Sequence, residues 1–246
     1  FIDDNPAERD RVAQSLPAVL VPQWPQDPTA YVSALRALPC FHTAAISKED
    51  RGRKAMYVAE RARKEVQHNV GSEDEWLHRL GTRLKVMRIN AGNTARIAQL
   101  FNKTNQLNLS TRRLSESEIV AWANTPGHSL LAFSASDHFG DMGLVGIIGV
   151  EAAGTEGRLT DCILSCRVMG RKVEETMLHL AATQLSVLGA SVMKIDYIPT
   201  ARNRPTHEVL TKAGLSEITP NSFEVDLAAG FPKPETVALD FEPGIA

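Results

Sequence analysis

The chain has little of what marks a metal-binding, membrane-spanning or nucleic-acid-binding protein. Its three cysteines, Cys40, Cys162 and Cys166, lack metal-ligand spacing, so they argue against a zinc module and suit a reducing compartment. No apolar run approaches the roughly 18 residues of a membrane span, and no secretory leader is visible. With 27 basic and 29 acidic side chains the formal net charge is −2, which gives the whole protein no pull toward nucleic acid or an anionic membrane. Internal repeats and low-complexity segments are also missing. A cytoplasmic location is the expectation from these absences. What is present is a 43% hydrophobic chain of 246 residues, enough for one large domain and part of a second.

The most informative stretch is Ile163-Leu-Ser-Cys-Arg-Val-Met-Gly-Arg-Lys-Val-Glu-Glu175, where a short apolar strand enters a basic, glycine-containing turn that opens a helix. The first turn of a helix leaves backbone N–H groups unpaired, the helix dipole adds positive potential, and glycine allows close approach to the backbone. Arg167, Val168, Met169, Gly170, Arg171 and Lys172 are therefore candidates for holding the phosphate of a cofactor, or else form an ordinary strand-to-helix connection with solvated charges. Val173 to Leu188 continues at helical spacing and Gly189 ends it. Val192 to Ile198 reads as a buried strand, Pro199 to Pro205 as a polar loop, and Thr206 to Ala213 as a helix.

Upstream, Phe1 opens a short strand into the turn Asp3-Asp4-Asn5, followed by a helix over Ala7 to Gln14 and a stretch broken by five prolines from Pro17 to Pro39. Ser47 to His68 reads as a charged helix, and Ser72 to Glu75 as a capping box for a second one. The spacing then predicts strand Leu84 to Ile89, helix Thr94 to Asn102, helix Glu116 to Asn124 behind the capping box Ser115 to Glu118, and strands Ser129 to Ser134, Met142 to Glu151 and Leu159 to Cys166.

Strand, basic turn R-x-x-G-x, helix, strand, loop and helix in this order resemble the acyl-CoA-binding core of the GNAT acyltransferase fold. Read with Asn102 to Arg113, His138 to Gly146 and Phe1 to Arg9, the chain resembles the FkbH-like family. Its members join a haloacid-dehalogenase-type (HAD) phosphatase domain to a GNAT-like domain. The resemblance implies transfer of a glyceryl unit from the small-molecule acyl phosphate 1,3-bisphosphoglycerate to an acyl carrier protein in polyketide biosynthesis. The fold it implies is α/β (α+β): a GNAT-like mixed sheet with flanking helices, preceded by the C-terminal remnant of a HAD-like Rossmannoid domain. Residues 1–45 would be that remnant, 46–81 linker helices, 82–230 the GNAT-like domain and 231–246 a tail or linker. The D-x-D segment of a HAD domain cannot precede Phe1, so the chain reads as a fragment. Two alternatives stand beside this: a GNAT N-acetyltransferase using acetyl-CoA, and a non-catalytic carrier-docking module.

Candidate site residues divide by chemistry. Cys166 lies beside Arg167 and four positions before Gly170, where a thiolate could carry an acyl group; buried core packing is the other option. His138 could serve as a general base and Asp141 could orient it or bind a hydroxyl, or both belong to a hairpin turn. Asp3 and Asp4 offer oxygen ligands for Mg²⁺ in a complete HAD domain, or cap a helix. Asn105, Gln106 and Asn108 are either substrate-binding amides, as the resemblance implies, or loop structure, and the resemblance implies that Asn203 contacts the phosphopantetheine arm of the carrier or of CoA. A basic rim of Arg167, Arg171, Lys172, Arg202 and Arg204 would face an acidic carrier.

Overall fold

The computed structural model describes residues 1–41 and 48–245, which divide into two compact units, Phe1–Arg51 and Gly52–Ala246. The first unit holds α1 (Pro6–Ser15) and α2 (Tyr31–Ala37), neither with a buried residue. Asn5 caps α1 by accepting the Ala7 N–H at 3.0 Å, and Pro6 fits the first helical turn because its missing N–H has no intrahelical role there. The strand expected at Phe1 does not form, and the described residues of this unit contain no strand. The HAD-like remnant expected for 1–45 is thus not seen as a Rossmannoid layer. Six prolines, from Pro6 to Pro39, deny the segment N–H groups that a sheet ladder needs. Residues 42–45 of that expectation, and residues 46–47 of the expected linker helices, lie outside the described residues.

The second unit is a nine-stranded mixed sheet between helices. In chain order the elements are α3 (Lys48–His68, which begins before the unit boundary at Arg51), α4 (Glu73–Leu80), β1 (Thr82–Arg88), α5 (Thr94–Lys103), β2 (Leu107–Asn108), α6 (Glu116–Ala123), β3 (His128–Asp137), β4 (Gly140–Ala153) and β5 (Glu156–Leu164). α7 (Val173–Val187), β6 (Val192–Asp196), α8 (Arg204–Lys212), β7 (Ser216–Thr219), β8 (Ser222–Asp226) and β9 (Val237–Phe241) follow. The sheet order is β7-β8-β6-β5-β4-β3-β1-β9, with β2 paired to β5 outside that path. Capping is as the sequence spells it: Ser72 accepts the Glu75 N–H, and Ser115 and Glu118 form a reciprocal box.

Strand β4 shows why the centre is two-sided. Residues 145 to 150 are all buried; Val145, Ile148 and Val150 pack into the cluster that includes Met177, Leu178 and Ala181 of α7, while Ile147 packs with Ile97 and Phe101 of α5 and Ile119 of α6. Alternation puts Ile147 and Ile148 on opposite faces, the bulge at Val145 turns that residue to the face of Ile148, and helices cover both faces. Each fully buried Ile or Leu contributes about 1.5–3 kcal/mol relative to exposure. Gly146 lets α7 close on the sheet, because a Cβ there would sit 3.0 Å from both Leu164 Cδ1 and Met177 Sδ.

Two edges differ from expectation. Residues 231–246, read as a tail, contain β9, which pairs in parallel with β1 from Thr82↔Val237 to Val86↔Phe241. The hairpin β7–β8 extends the other side beyond β6. The central order, with one parallel pair β5–β6 joined through α7, is the GNAT-like mixed sheet with flanking helices expected from the sequence.

Candidate functional site

The site region begins where β5 and β6 part. They pair in parallel only from Glu156↔Val192 to Leu159↔Ile195. A bulge follows immediately, since Gly149 faces Asp161 and Val150 faces Leu159, leaving Thr160 as the extra residue on β5. A bulge bends its strand and raises local twist, so the rest of β5 swings away from β6.

The opening so made is filled by the chain itself. Leu107 and Asn108 pair with Leu164 and Ile163 on the edge of β5 opposite β4, the Leu109 N–H donates to the Cys162 carbonyl at 3.1 Å, and the Ile198 N–H donates to the Leu109 carbonyl at 3.2 Å. Residues 107–109 therefore bridge the two diverging strands. The backbone positions on β5 that a pantetheine arm would use are taken.

Asn203 and Asn108 hold this insert rather than a ligand. Asn203 is fully buried; its Oδ1 accepts from Tyr197 Oη (3.0 Å), Thr200 N (2.7 Å) and Thr200 Oγ1 (2.9 Å), and its Nδ2 donates to the carbonyls of Asn108 (3.0 Å) and Ile198 (2.8 Å). That exhausts the amide, so the cofactor contact expected of Asn203 gives way to a structural role. Asn108, also fully buried, accepts from Thr111 N and donates to the Thr104 carbonyl. Asn105 accepts from Arg113, and Gln106 is exposed with its carbonyl bonded by Thr206 Oγ1. The asparagine-rich segment expected to bind substrate is built into the fold, and Ser110 and Arg112 anchor its far end on buried Asp161.

The basic turn is also partly self-satisfied. Cys166–Val168 forms a short 3₁₀ turn, Gly170 and Lys172 take positive φ values of 74° and 61°, and α7 starts at Val173. Glycine suits position 170 because its φ of 74° lies in the left-handed region that L side chains rarely adopt, although nothing lies within 4 Å of where a Cβ would be. The Gly170 N–H donates to Glu174 Oε1 at 2.6 Å. Glu174 is only 3% exposed, and its Oε2 is buried without a partner among the described residues. Burial holds its carboxyl above the usual carboxylate range, while its own N–H and that of Gly170 pull the other way. Glu174 was legible in the sequence only as a first-turn acid.

Arg171 is buried in an ion cluster. Asp137 accepts from Arg63 Nε (2.6 Å) and Nη2 (2.9 Å) and from Arg171 Nη1 (3.2 Å), and Glu60 contacts Arg171 Nη2 at 3.1 Å. Burial alone would raise the Asp137 pKa; the Arg63 bonds, the Phe139 N–H and the two guanidinium charges more than offset it and hold the carboxyl below its usual range. Lys172 pairs with Glu175 and Arg204 with Glu208, each on its own helix. Of the expected basic rim only Arg167 and Arg171 line the pocket, and Arg171 is itself paired with Asp137 and Glu60.

Beside the turn lies a pocket of about 340 Å³, with Cys166, Arg167, Met169 and Gly170 on one side and Lys64 and Trp76 on another. Four basic residues, Arg63, Lys64, Arg167 and Arg171, line it against two acids, Glu60 and Glu73. Val168, in contrast, is buried in the core. Cys166 is exposed because β5 ends at Leu164, so strand alternation does not set its direction. Cys162 is buried, and burial first, then the charges of Glu174 and Asp161, push its thiol up to about 12.

The remaining candidates have local roles. Asp141 Oδ1 accepts the Gly143 N–H at 2.7 Å within β4, at the register shift that faces Ala135 and Ser136, while Asp137 accepts the Phe139 N–H in the β3–β4 turn itself. The His138 N–H donates to the Leu80 carbonyl, and its ring lies over Gly81, where a Cβ would meet Nε2 at 2.4 Å. Asp3 Oδ1 accepts the Asn5 N–H, and Arg9 donates to the carbonyls of Asp3 and Asp4. Among the described residues no group of three or more His, Cys, Asp or Glu side chains could hold a metal ion, and no helix is long and apolar enough to cross a membrane.

No protein-family model and no curated protein matches the sequence. Solved structures with a similar chain path include the ribosomal-protein-S18-alanine N-acetyltransferase of Escherichia coli, at 8% identity and TM-score 0.44, covering 58% of this chain and 94% of that one. An N-acetyltransferase from Staphylococcus aureus Mu50 matches at 10% identity and TM-score 0.45 over 58% of this chain and 98% of its own. The GNAT domain of S. lividans PAT matches at 14% identity and TM-score 0.44 over 57% of this chain and 89% of that one. Likeness at this level describes a path of the chain and carries nothing about the site.

Proposed function

We propose that the second unit is an acyltransferase-type domain of GNAT architecture. Its support is the parallel pair β5–β6, which parts at a bulge and is followed by a glycine turn and a helix start at the open end. Acetyl-CoA-dependent N-acetyl transfer is the general kind such an architecture suggests. In the folded chain, however, the residues do not fit a pantetheine arm laid along β5, because residues 107–109 hold that edge and Glu174 holds the Gly170 amide.

The route that needs neither segment to leave runs through Cys166. The observation that carries it is the exposed Cys166 thiol on a 340 Å³ pocket with Arg167 beside it and basic residues in excess. The Cys166 thiolate attacks the carbonyl carbon of an acyl phosphate; a C–S bond forms, the C–O bond to phosphate breaks, and phosphate leaves while the thiol proton goes to solvent. A second thiol then attacks the enzyme thioester, taking the acyl group and returning Cys166. Arg167 and Lys64 offer charge to the phosphoryl group. A glyceryl donor and an acyl carrier protein as the accepting thiol are the finer form of this proposal, and they rest on the resemblance of the sequence.

The filled crevice favours a second reading, a docking module with no chemistry of its own. Single-turnover assays separate the three. Release of about one phosphate per chain from 1,3-bisphosphoglycerate, lost in Cys166→Ser and kept in Cys162→Ser, supports the thiol route. Acetyl transfer from acetyl-CoA to an amine, untouched by Cys166→Ser, replaces it with the N-acetyltransferase reading. Neither reaction, together with carrier binding, leaves the docking module.

A further inference from the structure

The pocket beside Cys166 has lining that the thiol route leaves unused. Gln67, near the end of α3, and Trp76, in α4, both line it and lie outside the basic turn. Trp76 is 9% exposed, and its indole Nε1 is buried with no hydrogen-bond partner among the described residues. An indole N–H is a donor only, and in a buried tryptophan it usually has an acceptor. A covered donor left unpaired is destabilising, so this one marks a place for an acceptor that the chain does not supply. The ring is held where it is: Leu77 and Leu80 pack with it, and Val66, Val70 and Phe139 pack against that cluster.

The rest of the lining bears on what carries the acceptor. At about 340 Å³ the pocket lies near the small end of ligand sites. Among the described residues around it, Trp76 and Met169 are the only large apolar side chains, so an alkyl chain finds little apolar surface against which to be buried. Arg63 and Arg171 are engaged by Asp137 and Glu60, whereas Arg167 donates to Ser165 Oγ and Met56 Sδ. That leaves Arg167 and Lys64 for the charged end of a ligand, and the neutral Trp76 N–H and Gln67 amide for an uncharged oxygen.

We infer that Trp76 is the specificity-determining residue of this pocket: its N–H, with the Gln67 amide lining the same space, donates to a hydroxyl oxygen on a short acyl group, so that a hydroxyacyl group is taken in preference to an alkyl one of the same length. That the group then passes to Cys166 rests on the thiol route proposed above, whereas the hydroxyl subsite does not.

Lactate and propionate are the probes, since they share a carboxylate and a carbon chain and differ by one hydroxyl. In the whole chain labelled with ¹⁵N-tryptophan, Trp24, Trp76 and Trp122 give separate indole N–H resonances, and Trp76→Phe identifies that of Trp76 by its loss. Lactate is expected to shift the Trp76 resonance, leave those of Trp24 and Trp122 in place, and bind at least about fivefold more tightly than propionate. In Trp76→Phe, which keeps an aromatic ring and loses the N–H, that preference is expected to fall to about twofold or less. If Trp76→Phe does not fold, judged by far-ultraviolet circular dichroism, Trp24→Phe and Trp122→Phe assign the resonance by elimination and its shift decides. The inference is overturned if the Trp76 resonance stays in place under saturating lactate, or if folded Trp76→Phe keeps the full preference. A lactate shift at Trp76 with no acyl group on Cys166 keeps the subsite and discards the thiol route, and an acylated Cys166 with an unmoved Trp76 discards the subsite alone.

Discussion

The side-chain amide of Asn203 donates to the main-chain carbonyl of Asn108 at 3.0 Å, clasping the start of α8 to β2 across 95 residues of sequence. The bond closes the gap that the β5 bulge opens. It makes residues 107–109 a fixed part of the sheet and moves the accessible chemistry to the other side of the turn.

Removing that clasp should loosen the insert. Asn203→Ala strands the Thr200 N–H and the carbonyls of Asn108 and Ile198, each about 1–3 kcal/mol when buried and unpaired. A net loss of about 3 kcal/mol is expected in urea denaturation, with faster hydrogen exchange at the Leu109 N–H. Unchanged exchange there would show that the insert is held by something else.

Asp137 gives a second test, with a pH sign. Its folded pKa is lowered, so the stability it contributes is fully present above the ordinary carboxylate pKa and is lost as pH falls through the folded value. Asp137→Ala leaves Arg63 and Arg171 buried beside one remaining acid, Glu60, and is expected to cost about 3–5 kcal/mol at neutral pH. In denaturation curves taken across acid pH, the gap between the two proteins should shrink as Asp137 protonates.

Glu174 has the opposite sign. Its folded pKa is raised, so its contribution is greatest below the unfolded carboxylate pKa and is lost as pH rises through the folded value. Glu174→Gln should therefore gain on the unsubstituted protein as pH rises toward neutrality. Melting temperatures of the two proteins that stay parallel over that range would contradict the assignment.

The cysteines should differ in rate toward an alkylating reagent. Cys166 and Cys40 are exposed and should be modified quickly in the native protein, whereas Cys162, buried and pushed up to about 12, should react only on unfolding. Peptide mapping after timed alkylation reads this directly.

Much of the sheet was legible because its elements announce themselves locally. Ser115-Glu-Ser-Glu118 spells a capping box, and the apolar spacing after Val173 spells α7. The strands that sequence reasoning missed lack such marks. β2 has two residues, every residue of β7 is exposed, and β9 sits between prolines that suggested a tail. The site was less legible than the fold, since its state depends on distant pairings. Whether Asn108 and Asn203 meet a ligand or each other, and whether Arg171 faces solvent or Asp137, follows from contacts spanning 95 and 34 residues. The asparagines and the basic turn were visible as residue types; their being consumed internally was not.

The most direct measurement is the mass of the Cys166 peptide after brief incubation of the protein with 1,3-bisphosphoglycerate and an acid quench. An acyl adduct on that peptide, hydroxylamine-labile and missing from the peptides of Cys40 and Cys162, is the expected result. An unmodified Cys166 peptide under conditions where acyl transfer proceeds would contradict the thiol route at its root.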